Sequence, residues 1–254
     1  MSARKPQHRD NPEGVEAVWT RSARKADHSM DEAVMPGRIN CYTGAAGCGK
    51  TFTVTQALLQ REEKVRSIFL GCPDIPTMRS LLRELAERIG VKFSLSTPAH
   101  DLTFLLRDHL RPTEEDPRLV CIVVDECQKM RSTACPEVMR SLVEHDSTSF
   151  SLMFVGGDGA RAVLEGEPML WSRMYRPVGF YPLDTDEVVE MLPVYCPSLY
   201  EGVKPELLEW IDIEHCQGRF RDWSSFTHRA QKVLKESRRR KLTEQVARAA
   251  FEGP

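Results

Sequence analysis

The stretch GAAGCGKT, Gly44–Thr51, places glycines, a lysine and a hydroxyl in the pattern G-x-x-x-x-G-K-[ST]. Each residue type suits one task, the holding of a phosphate chain. At Gly44, Gly47 and Gly49 backbone N–H groups can close around oxyanions without a Cβ in the way. The Lys50 ammonium reaches the outer phosphates, and the Thr51 hydroxyl ligates a divalent cation. The expected contact set is Gly44, Ala45, Ala46, Gly47, Cys48, Gly49, Lys50, Thr51 and Phe52. Cys48 stands at a variable position of the loop, where a small residue fits and a thiol brings sensitivity to oxidation.

A cation bound by Thr51 needs a second oxygen ligand, and LVCIVVDE supplies it. Asp125 closes an apolar run and is placed to orient the cation, while Glu126 is placed to polarise an attacking water. A capping pair after a strand accounts for either acid alone but not for both. A second acid beside the metal aspartate suits hydrolysis rather than transfer to a small-molecule acceptor.

Three further residues can bear on the same chemistry. Asp158 is the first polar group after Gly156–Gly157, and is read as a helix cap in preference to a holder of water or cation. Arg173, in MLWSRMYRP, can reach the phosphates of a neighbouring subunit or stand as a solvated arginine. Arg221, in CQGRFRDWSSF, begins a helix from which a cation can cross back to the phosphate loop.

These residues need a scaffold, and the hydropathy pattern predicts one. RINCYT, VRSIFLGC, RLVCIVVDE, SFSLMFVGG and the short PVGFYPL read as five strands. Helices are expected between them, over Lys50–Gln60 and in IPTMRSLLRELAERIG, HDLTFLLRDHL and PEVMRSLVEHD. Strands with continuous apolar character, separated by helices, imply an α/β fold with a parallel sheet covered on both faces. After Asp184 strands stop, and DTDEVVEMLP, KPELLEWIDIEHC and RFRDWSSFTHRAQKVLKE predict a small helical appendage. The expected division is a polar arm over 1–35 with room for a helix at Gly14–Lys25, a core over 36–183, a helical lid over 184–236 and a basic tail over 237–254.

Composition narrows the partners. Lysine and arginine number 35 against 37 acidic residues, so no global field selects a polyanion. The region Arg229–Pro254 holds eight basic and three acidic residues, with Arg238–Lys241 its densest run. No apolar run approaches the roughly 20 residues that cross a bilayer, and the polar N-terminus lacks the core of a secretory signal. The eight cysteines show no C-x-x-C pair and read as reduced packing residues of a cytoplasmic protein.

Taken together, the phosphate loop, the acid pair, the sensor strand, the serine–arginine pair and the G-x-x-R helix start resemble AAA+ ATPases over roughly Met35 to Lys235. VDECQKM resembles the DEAQ form of the acid motif. GCPDIPTMRSLLRELAERIG and the passage FVGG, WSR, FYPLDTDEVVEML are similar to transposition ATPases of the TniB, TnsC and MuB group. That resemblance implies a P-loop AAA+ core with a helical lid, ATP and Mg2+ as cofactors, and Glu126, Arg173 and Arg221 as catalytic groups. It also implies ATP-dependent assembly as a homo-oligomer or helical filament on double-stranded DNA, with no membrane partner. The assembly would mark a target and recruit or activate a transposase, with a target-selector protein as a further partner. Lys92, Arg107, Lys129 and Arg131 are the expected DNA contacts, each weighed against a solvated surface charge. Cys127 in place of the usual alanine, and glycines at the sensor strand tip, depart from the group's pattern. An IstB- or DnaC-like helicase loader or transposition helper, a nucleotide-dependent protein switch that does not bind DNA, and a small-molecule kinase are the alternatives.

Overall fold

The structure, a computed structural model, describes residues 12–131 and 133–252. The first eleven residues of the expected arm and the last two of the tail lie outside the described residues. Contacts divide the chain into two compact units: Ser22–Ala45 with Lys50–Phe180, and Met1–Arg21 with Ala46–Gly49 and Tyr181–Pro254.

The first unit is built on a parallel sheet of five strands among the described residues. In chain order it runs through α1 (Arg21–His28), α2 (Met30–Ala33), β1 (Ile39–Gly44), α3 (Lys50–Leu59), β2 (Val65–Gly71), α4 (Met78–Ile89), α5 (Ala99–Arg107) and β3 (Leu119–Asp125). A 3-10 turn (Cys127–Met130) leads to α6 (Cys135–Val143), β4 (Phe150–Gly156), α7 (Ala160–Glu165), α8 (Pro168–Trp171) and β5 (Val178–Phe180). The strand order is β2-β3-β4-β1-β5, and every pairing is parallel. Successive residues of a strand face opposite sides, and Val120 to Val124 are all buried. Both faces are therefore covered, as continuous apolar runs require. Because the strands are parallel, Gly44, Asp125 and Gly156 end on the same edge of the sheet. β4 pairs with both β1 and β3, which sets its tip between Gly44 and Asp125.

Local signals place the helices. Thr77 and Ser80 form a reciprocal capping box at the start of α4, and Gly90 ends it in the left-handed region at φ 79°. Gly44 closes β1 against β5, where it pairs with Phe180. A Cβ on Gly44 would lie 2.0 Å from the Phe180 carbonyl oxygen, so only glycine fits there. The segment expected to be an arm differs: α1 and α2 bury Ala26, Met30 and Ala33, and the Asn40 amide donates to the Ala33 carbonyl at 3.0 Å. The polar outer faces of these short helices conceal that apolar contact in the sequence.

The second unit holds α9 (Thr185–Tyr195), α10 (Pro197–Tyr200), α11 (Pro205–Ile211), a π-helical turn (Asp212–Cys216), α12 (Phe220–Ser237) and α13 (Glu244–Glu252). Asp184 caps α9 by accepting the Glu187 N–H at 2.9 Å. Its core gathers Val188, Leu192, Tyr200, Leu208, Trp223 and Phe226, with the Tyr200 and Thr227 hydroxyls 2.7 Å apart inside it. The tail residues Leu242, Val246, Ala247 and Ala250 join the same core, so α13 is packed rather than frayed. No helix among the described residues is long and apolar enough to cross a membrane.

Candidate functional site

The loop between β1 and α3 turns through Gly47 and Gly49, both at φ 83°, a conformation costly for any residue with a Cβ. Space adds a second demand at Gly47, where a Cβ would lie 3.1 Å from that of Arg221. α3 starts at Lys50, so the N–H groups of its first turn face the loop, a ready site for an anion. Lys50 is only 8% exposed, and its ammonium donates to the carbonyls of Gly44 at 2.8 Å and Ala45 at 2.7 Å. Cys48 is buried, whereas Phe52 is 46% exposed.

Thr51, in the first turn of α3, meets the end of β3: its hydroxyl donates to Asp125 Oδ2 at 3.0 Å. The other Asp125 oxygen accepts the Glu126 N–H at 2.8 Å. Burial pushes the Asp125 carboxyl above its ordinary range, against the Glu126 N–H, the Thr51 hydroxyl and the Lys50 charge, which favour the anion. A hydroxyl and a partly buried carboxylate are hard oxygen donors, suited to Mg2+. Among the described residues no three His, Cys, Asp or Glu side chains cluster to cage a metal by themselves. The donor set therefore fits a cation completed by phosphate oxygens and water.

Glu126 occupies the left-handed region at φ 60° and ψ 35°, a strained conformation for a side chain of its size. Its exposed carboxylate accepts from Gln128 Nε2 at 2.5 Å, and Gln128 Oε1 accepts the Gly157 N–H at 2.8 Å. Gln128 is absent from the expected site set. The signals for it were the glutamine two residues past Glu126 and the missing side chains at the tip of β4.

The helix after Asp158, α7, has Gly159 as its N-cap with no side-chain cap, so the cap assigned to Asp158 does not form. Glycine in the left-handed region at φ 82° turns the chain there instead. Arg173 lies between α8 and β5 and pairs with Glu144. Arg221 is exposed, the second residue of α12, and its N–H donates to the Gly47 carbonyl at 3.1 Å within the second unit. Of the expected DNA contacts, Lys92 and Arg131 are exposed. Lys129 is paired with Asp74 at 2.9 Å, and Arg107 is half-buried beside Phe104. Arg239, Arg240, Lys241 and Arg248 line a surface cleft, where Arg248 pairs with Glu244.

A family model described as an AAA domain matches residues 35–164, half of the chain, from the residue before β1's approach through the loop, the acid pair and α7. The chain belongs to the AAA family. No curated protein matches it. Among solved structures, this AAA chain is similar to the ORC2 protein of Aeropyrum pernix in its ADP form, at 18% identity and a TM-score of 0.66, over 91% of this chain and 66% of that one. Cdc6p from Pyrobaculum aerophilum aligns at 17% identity and a TM-score of 0.72, over 95% of this chain and 69% of that one. The Aeropyrum pernix ORC1 protein in complex with DNA aligns at 18% identity and a TM-score of 0.69, over 93% and 65%. At such identities the likeness is one of fold, and the AAA chain spans just under two thirds of the ORC2 protein's length.

Proposed function

We propose that this AAA chain is an ATP hydrolase that assembles on double-stranded DNA in an ATP-dependent way and regulates transposition. In that role it marks target DNA and recruits or activates a transposase. The observation that carries the enzymatic part is the 3.0 Å hydrogen bond from Thr51 to Asp125, which gathers two cation ligands at the mouth of the phosphate loop.

Bound there, ATP supplies a phosphoanhydride bond to water, and Mg2+ supplies charge that offsets the phosphates. The backbone of Gly44 to Gly49, the buried Lys50 ammonium and Phe52 would form the contact set for its phosphates. Thr51 and Asp125 would hold the cation. Glu126, whose carboxylate is exposed and directed by Gln128, takes the proton of the attacking water. Arg221, whose backbone touches the loop at Gly47, registers the state of the phosphates. Arg173 completes the site of a neighbouring subunit. The domain reading that goes with this is a core over 36–183, a lid over 184–236 and a basic tail over 237–254.

DNA as the partner is supported by the passages that resemble those of transposition ATPases and by fold neighbours that include an ORC1 protein solved with DNA. Exposed Lys92, Arg131 and Arg238–Lys241 are its available cations, suited to phosphates rather than base edges. The test is ATP hydrolysis with and without duplex DNA. Stimulation by duplex is expected; a phosphorylated small-molecule product would assign a kinase, and hydrolysis indifferent to DNA would leave an AAA ATPase with another client.

A further inference from the structure

Gln128 stands in the 3-10 turn after the acid pair and joins two groups from different strands. Its Oε1 accepts the N–H of Gly157, just past β4, at 2.8 Å, and its Nε2 donates to Glu126 Oε2 at 2.5 Å. A backbone N–H can only donate and an ionised carboxylate can only accept, so the amide has one possible orientation. A carboxylate, a hydroxyl or an ammonium of the same length could not serve both partners as well.

The surroundings are shaped for this side chain. A Cβ on Gly156 would meet the Ala160 Cβ at 2.4 Å, Cys127 Sγ at 2.7 Å and Gln128 Oε1 at 2.8 Å. The strand tip is bare, and Gln128 fills the space with the polar group that β4 itself lacks. Glu126 meanwhile sits on a strained backbone, exposed, where a free side chain would sample several rotamers. An amide donor on Oε2 narrows that choice and leaves Oε1 to receive a proton.

We propose that Gln128 is a positioning residue: it directs the Glu126 carboxylate and ties it to the tip of β4. This rests on the reading of Glu126 as the base for hydrolysis. β4 lies between β1 and β3, and Gln128 links the residue after β4 to Glu126 at the end of β3.

The test uses the full chain and single-turnover hydrolysis of radiolabelled ATP with protein in excess, which resolves slow residual chemistry. Gln128→Met keeps length and volume and removes both hydrogen bonds. Its expected effect is a fall of about 10–100-fold in the hydrolysis rate, the scale of lost supporting contacts around a site, with the affinity for an ATP analogue and the melting temperature unchanged. In a Glu126→Gln background the same substitution should cause no further fall, because its effect runs through Glu126. A Gln128→Met rate equal to wild type, an equal fall in both backgrounds, or a loss of analogue binding overturns the positioning role while leaving Glu126 as the base. Wild-type protein without hydrolysis, or Glu126→Gln as fast as wild type, overturns the hydrolase reading and this inference with it.

Discussion

The guanidinium of Arg173 is held by the carboxylate of Glu144, the C-cap of α6, while its Nη1 donates to the Met169 carbonyl at 3.0 Å. The other Glu144 oxygen pairs with Arg140. An arginine that serves a neighbouring subunit must first leave this partner. Partly exposed pairs contribute about 0–1 kcal/mol, so the exchange is accessible. Arg173→Ala should lower turnover by roughly 10³–10⁵, the range seen for arginine fingers, and spare ATP binding. Activity per subunit should rise with protein concentration, and mixing Arg173→Ala with Glu126→Gln should restore part of it. Glu144→Gln, which frees Arg173, should raise activity at limiting concentration. Rates independent of concentration, without rescue, would assign Arg173 to its own subunit alone.

Lys50→Ala removes the single buried ammonium of the phosphate loop and should abolish binding of a fluorescent ATP analogue. Wild-type protein at 100 times the dissociation constant should gain about 2.7 kcal/mol of stability from the nucleotide. Lys50→Ala should show no such thermal shift. A retained shift would detach the loop from phosphate binding.

Glu126→Gln keeps size and hydrogen bonding but removes the carboxylate proposed as the base. Slow hydrolysis, intact analogue binding and longer-lived assemblies on DNA are the expected outcome. Electron microscopy of DNA complexes after ATP addition gives the lifetime directly.

Duplex binding should require ATP and weaken steeply with salt, the slope of log K on log salt being about −0.9 per phosphate neutralised. Lys92→Ala should shallow that slope more than Lys129→Ala, because Lys129 is already paired with Asp74. Truncation before Arg238 would also remove α13 from the core, so Arg239→Ala and Arg240→Ala together are the cleaner test of the tail. Titrations at several salt concentrations, with ATP, ADP and no nucleotide, separate these cases.

The eight cysteines are all buried. Burial pushes the Cys41 and Cys121 thiols up to about 12, so both are protonated at pH 8, and the thiolate that attacks iodoacetamide is absent. Mass spectrometry should find these two positions unlabelled in folded protein and fully alkylated in guanidinium.

Much of this was legible in the chain because the relevant signals are consecutive. The five strands announce themselves as apolar runs such as LVCIVV, and α4 by the spacing of Leu81, Leu82 and Leu85 with Gly90 after it. Other elements were hidden. α1 and α2 carry polar outer faces, and α9 runs through Pro193 to Tyr195 because buried Leu192 and Tyr195 hold its last turn. The cap assigned to Asp158 failed because left-handed Gly159 sets the helix start one residue later.

The amino-acid order by itself determined the glycine-rich loop before a helix, the acids that end a strand and the alternation of strand and helix. These follow from residue type, local spacing and hydrophobic period. Only the tertiary structure decided which of those residues meet: Thr51 with Asp125, Gly44 with the Phe180 carbonyl, Gln128 with Gly157, Arg173 with Glu144. The first three depend on the strand order β2-β3-β4-β1-β5, which places β4 between β1 and β3 and β1 beside β5. Strand order arises from covering both faces of one sheet at once, a condition on the whole chain that no window of consecutive residues contains.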